Sequence, residues 1–360
     1  MWARRRNNAR FGLHLQLRIG GADALENPLP AQNDYKINDC KYHRYILNDY
    51  KSNDYFYNDY KSNDPYRKLL FMNYVIIIPA YNEEQFLSRT LDSIAKQEVL
   101  PQQLIVVNDG STDATPEIVR AYAEQYSWIK LANNEKKEKR SAGAKVVRAF
   151  YLGYGAIDVD YDFLVKLDAD IELPANYFRR LFEMFQANPR LGIAGGMITT
   201  LKNGAWAYEH FSDRDYVPGA FKTYRRKCFE AIGGLRRSIG WDTVDELIAR
   251  FHGWEVEVDS SLQVRHHRVL GTETGSLRVR AKAGRAMYRM RYGFFITLIS
   301  AAKAGYLNRP YGLTGLAVLW GWMESWLQGE SFMGSEDEGQ FIRKFRRERM
   351  LGKLGMGKGG

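Results

Sequence analysis

Cysteine is almost missing from this chain: Cys40 and Cys228 are the only two among 360 residues. Two lone cysteines exclude a disulfide framework and suit a reducing compartment. Long hydrophobic runs are missing too. No segment reaches the ~18 apolar residues of a spanning helix. Arg4, Arg5 and Arg6 resemble the charged start of a secretory signal, but no apolar stretch of roughly 7–15 residues follows them. Acidic residues are scarce at one end. Residues 278–360 carry 15 basic and 6 acidic side chains, against 25 and 28 in residues 72–277 and 12 and 8 in residues 1–71. The net charge of +10 therefore sits mostly in the C-terminal segment. Such an excess attracts nucleic acid or an anionic membrane, unless it is simply a solvated basic face. What is present is an ordinary share of core-forming residues, 45% hydrophobic, in a length suited to one large domain or two modest ones.

The first 71 residues read as a low-complexity extension. Asn-Asp pairs recur at 33, 38, 48, 53, 58 and 63, and Asn33-Asp-Tyr-Lys36, Asn48-Asp-Tyr-Lys51 and Asn58-Asp-Tyr-Lys61 are near copies. A pentapeptide solenoid needs a regular inward apolar residue, and here Tyr beside charge takes that place. Asn and Asp favour turns, so the expectation is disorder. Met72 is a candidate true start, with the upstream part a translated DNA repeat; peptides from before Met72 in the natural protein would refute this.

From Tyr74 the pattern alternates strand and helix. Val75–Ile78 and Leu104–Val107 are continuous apolar runs, as buried parallel strands are. Glu84–Gln97 and a stretch from Asp113 to about Tyr126 read as the helices between them. Ile129–Ala132 and Phe163–Leu167 read as further strands, with a helix from Ala142 to about Ala156. This order predicts a doubly wound α/β fold, which binds ligands at the carboxyl ends of its strands. Further helices are expected up to about Ala187, over Arg225–Ile232 and over Thr243–His252, with a strand over Gly192–Thr199. Residues 277–330 read as helical and amphipathic.

Acidic clusters follow three of the strands. Pro79-Ala-Tyr-Asn-Glu-Glu84 places Tyr81 where it can lie against a base and Glu83 where it can accept from ribose hydroxyls; Glu84 suits the first turn of a helix. In Asn108-Asp-Gly-Ser-Thr-Asp113, Asp109 is the ligand candidate and Asp113 a helix cap. Asp168-Ala-Asp170 places two carboxylates on one side of an extended segment, where a hard divalent ion, Mn²⁺ or Mg²⁺, relieves their repulsion. The alternative for this pair is two solvated carboxylates at a strand end.

Together, and in this order, the three motifs resemble the family 2 glycosyltransferases, whose fold is called GT-A: a doubly wound, mainly parallel sheet flanked by helices. The resemblance covers about residues 72–270. It implies that Pro79, Ala80, Tyr81, Glu83 and Asp109 hold the nucleoside, and that Asp168 and Asp170 hold the metal that grips the diphosphate. It implies that Gly143 and Lys145, in Arg140-Ser-Ala-Gly-Ala-Lys145, approach the phosphates. Gly219–Cys228 resembles the lining of the sugar pocket, with Cys228 a buried small residue. Gly240-Trp-Asp-Thr-Val-Asp-Glu-Leu247 resembles the acceptor-side acidic motif. Asp245 is the first candidate for the base that deprotonates the acceptor, with Asp242 and Glu246 as rivals. In Gln263-Val-Arg-His-His-Arg268, His266 or His267 completes the metal shell; alternation along a strand makes them point opposite ways.

The expected organisation is therefore an N-terminal extension (1–71), a catalytic domain (72–276) and a basic helical segment (277–360). The expected activity is inverting transfer from a nucleotide diphosphate sugar to a hydroxyl on a glycan or lipid-linked glycan. Aromatic-rich helices beside basic residues suggest peripheral contact with the inner face of the plasma membrane. Three other readings remain. A sugar-phosphate nucleotidyltransferase shares the broad fold but is expected to carry a Gly-rich, basic loop where Pro79–Glu84 stands here. A polyprenyl-phosphate acceptor would need no base. A nucleic-acid-binding protein would use the basic tail, but leaves the acidic sheet edge unexplained.

Overall fold

The computed structural model describes residues 72–134, 144–202, 204–208, 216–268 and 277–353. The Asn-Asp repeats, Cys40, Arg140 and Gly143 lie outside these. The first half of the sheet follows directly from apolar runs that cannot stay in water. Strands β1 (Tyr74–Ala80), β2 (Gln103–Asn108), β3 (Ile129–Asn133) and β4 (Phe163–Leu167) lie side by side in the order β3-β2-β1-β4, all parallel. Helices α1 (Leu87–Ala95), α2 (Thr115–Gln125) and α3 (Ala144–Gly155) are the crossovers. Alternate residues of β1 serve two layers. Ile76 and Ile78 join one core, with Leu87 and Leu91 of α1. Val75 and Ile77 join the other, with Val147 and Phe150 of α3.

Beyond β4 the sheet is mixed. The two-residue β5 (Ile171–Glu172), α4 (Tyr177–Ala187), β6 (Leu191–Lys202), β7 (Ala205–Tyr208), β8 (Phe221–Arg225), α5 (Arg226–Ala231), α6 (Trp241–Phe251) and β9 (Glu255–His266) follow in the chain. The full order is β3-β2-β1-β4-β8-β6-β9-β5, with β7 hairpinned onto β6. Strand β8 runs antiparallel to both β4 and β6, whereas β9 runs parallel to β6. Strand β9 has 12 residues and ends at His266, within the Gln263–Arg268 segment expected to close a late strand. Its outer part alternates and is half exposed, which weakens its hydrophobic signal.

Four helices complete the described chain: α7 (Leu277–Arg289), α8 (Gly293–Leu307), α9 (Leu313–Leu327) and α10 (Glu336–Lys353). They are not a separate body. Ala286, Met290, Tyr292, Ile296, Met333 and Ile342 share one core with Trp241, Val244 and Ile248 of α6. Among the described residues no helix is long and apolar enough to cross a membrane.

Candidate active site

The loops after β1 and β2 are stitched into one cradle. Asn82 takes a left-handed conformation (φ 55°), one that Asn tolerates better than most residues. Its N–H donates to Ser111 Oγ (3.0 Å), and its Oδ1 accepts from the Thr112 N–H (2.9 Å). The Glu83 N–H donates to Thr115 Oγ1 (2.8 Å). Helix α1 starts only at Leu87, so Glu84 does not serve its own helix as expected. Its carboxylate accepts from the Ala114 N–H (3.0 Å) at the start of α2, while Asp113 accepts from the Glu84 and Thr115 N–H groups (both 3.1 Å). These local bonds use up Glu84 and Asp113 and leave Tyr81, Glu83 and Asp109 for other work.

Those three residues line one end of the sheet. Tyr81 is exposed, and Lys145 Nζ of α3 lies 5.5 Å from its ring centre. Ala80 is buried; its carbonyl accepts from the Asp109 N–H (2.9 Å), and Asn134 Nδ2 donates to Asp109 Oδ1 (2.6 Å). Burial is the main force pushing the Glu83 carboxyl up, from 4.5 to about 7, against the pull of Arg268 and with help from Asp170.

Asp168 and Asp170 do not sit on an extended segment as expected. They occupy the turn between β4 and β5, and their carboxylates meet different partners. Asp168 pairs with Lys166 of β4. Asp170 Oδ2 lies 3.3 Å from His266 Nε2 and 2.9 Å from Arg268 Nε. Burial raises the Asp170 pKa, but the His266 and Arg268 contacts outweigh it and hold the carboxyl below its usual range. Arg268 also pairs with Glu83, so one guanidinium bridges two acidic clusters. Of the two histidines, His266 faces Asp170. His267 turns the other way, with Nε2 2.7 Å from Glu172 Oε2.

In type, Asp168, Asp170 and His266 fit a divalent ion: two hard oxygen donors and an imidazole. As placed, no three His, Cys, Asp or Glu side chains among the described residues are grouped tightly enough to hold one. Lys166 and Arg268 place positive charge beside Asp168 and Asp170.

The acceptor-side carboxylates divide sharply. Asp245 is fully buried: Lys222 Nζ donates to both its oxygens (2.9 and 3.0 Å), and Tyr224 Oη to Oδ2 (2.5 Å). Glu246 accepts from the Val217 N–H (2.9 Å) and lies 2.9 Å from Lys222 Nζ. Asp242 is partly exposed at the first turn of α6, and Tyr216 Oη donates to its Oδ2 (2.7 Å). Cys228 is buried and packs against Gly192, and burial pushes its thiol up to about 12, away from the reactive thiolate.

Sequence reasoning missed the cations. Lys166 and Lys222 are direct partners across the β4–β8 ladder, and both are buried. Like charges in that position repel. Each is held by its own acids, Lys166 by Asp168 and Lys222 by Asp245 and Glu246. Lys166 also donates to the Gly219 carbonyl (2.8 Å), and a Cβ on Gly219 would lie 2.7 Å from Asp242 Cβ. Asp168 and Asp242 are thus joined through one lysine and one glycine. A lone Lys inside the apolar run Phe163-Leu-Val-Lys-Leu167 was the available signal: a charge in a buried strand needs a partner.

Glu246 gives a prediction for stability. Burial above all, and then Asp245, raise its pKa from 4.5 to about 7 against the opposing pull of Lys222. Between those values the folded state keeps a proton that the unfolded chain releases. The associated stability is present below about pH 4.5 and lost as pH rises through about 7. Glu246→Gln is therefore expected to gain on the native protein across that window in thermal melts; parallel profiles would refute the assignment.

The sheet order, the crossovers and the acidic strand ends define the GT-A architecture. GalNAc-T7, solved with UDP, GalNAc and Mn²⁺, shares this fold at a TM-score of 0.53 and 13% identity, over 79% of this chain and 57% of its own. The Glycosyl transferase family 2 model matches residues 75–236 of this chain. An uncharacterized glycosyltransferase, EpsJ of Bacillus subtilis, is 30% identical over 154 residues, 42% of this chain and 38% of its own. Poly-beta-1,6-N-acetyl-D-glucosamine synthase of Staphylococcus aureus is 28% identical over 122 residues, 33% of this chain and 27% of its own. The chain thus spans well under half the length of these relatives.

Proposed function

We propose that this protein transfers a sugar, with inversion, from a nucleotide diphosphate sugar to a hydroxyl on a glycan or lipid-linked glycan, in polysaccharide biosynthesis at the cytoplasmic face of the plasma membrane. The observation that supports the reading is the Lys166–Gly219 link, through which Asp168 is connected to Asp242. Tyr81, Glu83 and Asp109 hold the nucleoside, and Lys145 meets the phosphates. Asp168, Asp170 and His266 are the residues to hold Mn²⁺ or Mg²⁺, which when bound neutralises charge on the leaving diphosphate. Asp242 takes the acceptor proton, because it alone of the three candidate carboxylates is open to solvent. Asp245 and Glu246 hold Lys222 beneath it. The acceptor hydroxyl oxygen attacks the anomeric carbon, the bond to the diphosphate breaks, and the proton goes to Asp242.

A donor screen tests this. Nucleotide diphosphate release is expected with Mn²⁺ and is expected to vanish with a chelator. Asp170→Asn is expected to weaken Mn²⁺ binding about tenfold or more, read by paramagnetic resonance. No release from any common donor, with metal and membrane extract present, would overturn the proposal.

A further inference from the structure

Helices α8 and α9 pack side by side, with Gly315 of α9 set against the backbone of α8 at Ala301. Each leaves an apolar stripe in solvent. On α9 the stripe is Leu313, Leu316, Trp320, Met323 and Leu327, spaced at helical intervals, with Trp320 60% exposed. On α8 it includes Phe295, Ile299 and Tyr306, with Phe295 79% exposed. These residues lie on well-formed 15-residue helices whose opposite faces are buried, so the exposure is not that of a loose end. Apolar faces of this extent mark a contact surface.

The charge around the stripes selects the occupant. Residues 277–329 hold eight basic side chains and one acidic one, Glu324, which Arg285 already pairs. Arg278, Lys282, Lys303 and Arg309 are exposed. A second copy of this chain would set cations against cations, whereas an anionic leaflet matches them. Exposed Tyr306, Tyr311, Trp320 and Trp326 have the amphipathic rings that settle at a headgroup boundary. Each helix is about 22 Å long, short of a hydrocarbon core of ~30 Å, which suits lying in the interface rather than spanning it.

We infer that the exposed face of α8 and α9 is a docking surface for an anionic lipid leaflet, and that α7 fixes the acceptor site relative to that leaflet. On one side, Gly284 of α7 closes on the α9 backbone at Val318, and Gly321 of α9 closes on Ala281. On the other, Ala286 of α7 and Met290 just after it lie against Gly240, the residue before α6, two positions from Asp242. One helix therefore packs on the buried side of α9, behind the exposed stripe, and also reaches the start of the acceptor motif. The substrate class that follows is an amphiphile held in the bilayer, presenting its hydroxyl at the surface. This last step rests on the proposed transferase activity; the docking itself does not.

The test is co-sedimentation of the full chain with phosphatidylcholine vesicles, with and without phosphatidylglycerol. Binding to the anionic vesicles is expected, weakening as salt is raised. The double variants Leu316→Glu/Trp320→Glu and Arg278→Glu/Lys282→Glu are each expected to lower it about tenfold or more at unchanged melting temperature. No binding, or equal binding by the variants, overturns the inference. So does concentration-dependent self-association that both double variants abolish. Nucleotide diphosphate release in solution separates the two ideas. If the variants release it as the native protein does but bind no vesicles, docking is confirmed as a separate device. If the native protein releases none yet binds vesicles, the transferase reading falls and the docking stands.

Discussion

Asp242→Asn is expected to lower sugar transfer by about 10²–10⁴-fold, the usual worth of a general base. Asn keeps the shape and can still accept the Tyr216 hydroxyl bond, so the fold and the contact with Gly219 are retained. What is lost is the ability to take a proton. Donor binding, read by nucleotide titration, is expected to be unchanged. The loss should appear in kcat, because the proton moves as the new bond forms. The same variant distinguishes the acceptor classes. A phosphate acceptor is already anionic, so near-native activity in Asp242→Asn would favour polyprenyl-phosphate glycosylation. Asp245→Asn is expected to act differently, mainly on stability, because that carboxylate is sealed under Lys222 and Tyr224.

Lys222→Met carries the largest expected loss of stability, about 3–5 kcal/mol, as for breaking a buried ion pair from one side. Lys222 is fully buried and lies within reach of Asp245 and Glu246 and of the Asp242 carbonyl. Burial alone would depress its pKa, but the three neighbouring carboxylates outweigh this and hold it above its ordinary value. Removing the ammonium strands two carboxylates in an apolar interior. Urea unfolding of the variant measures the loss. Adding Asp245→Asn is expected to restore part of it, since one stranded charge is then gone. A single variant as stable as the native protein would show that the network carries no stability.

The parallel half of the sheet and its acidic strand ends were legible because both signals are local. A strand buried on both faces must be apolar throughout, as Val75–Ile78 is, and a ligand loop after it occupies the next few residues. The sequence also put Asp242, Asp245 and Glu246 on the table and placed Asp245 first, whereas burial favours Asp242. Three acids within five positions look alike until burial separates them, and that separation depends on Lys222 and Tyr224, more than 20 residues away in the chain.

The remaining decisions were non-local. Arg268 reaches Glu83 across 185 positions, and Lys166 meets Lys222 only through the antiparallel register of β4 and β8. The choice of His266 over His267 beside Asp170 depended on how β9 pairs with β5. The order of the mixed half of the sheet also had no local signature, since β6, β8 and β9 pair out of chain order. By itself, then, the sequence determined the class of domain and the acidic residues at its strand ends, because adjacent positions along a strand and its loop encode these. Only the tertiary structure decided which acids are open, which cations neutralise the rest and which helix faces stay bare, because charge pairing and burial are set by segments that meet only when the chain is folded.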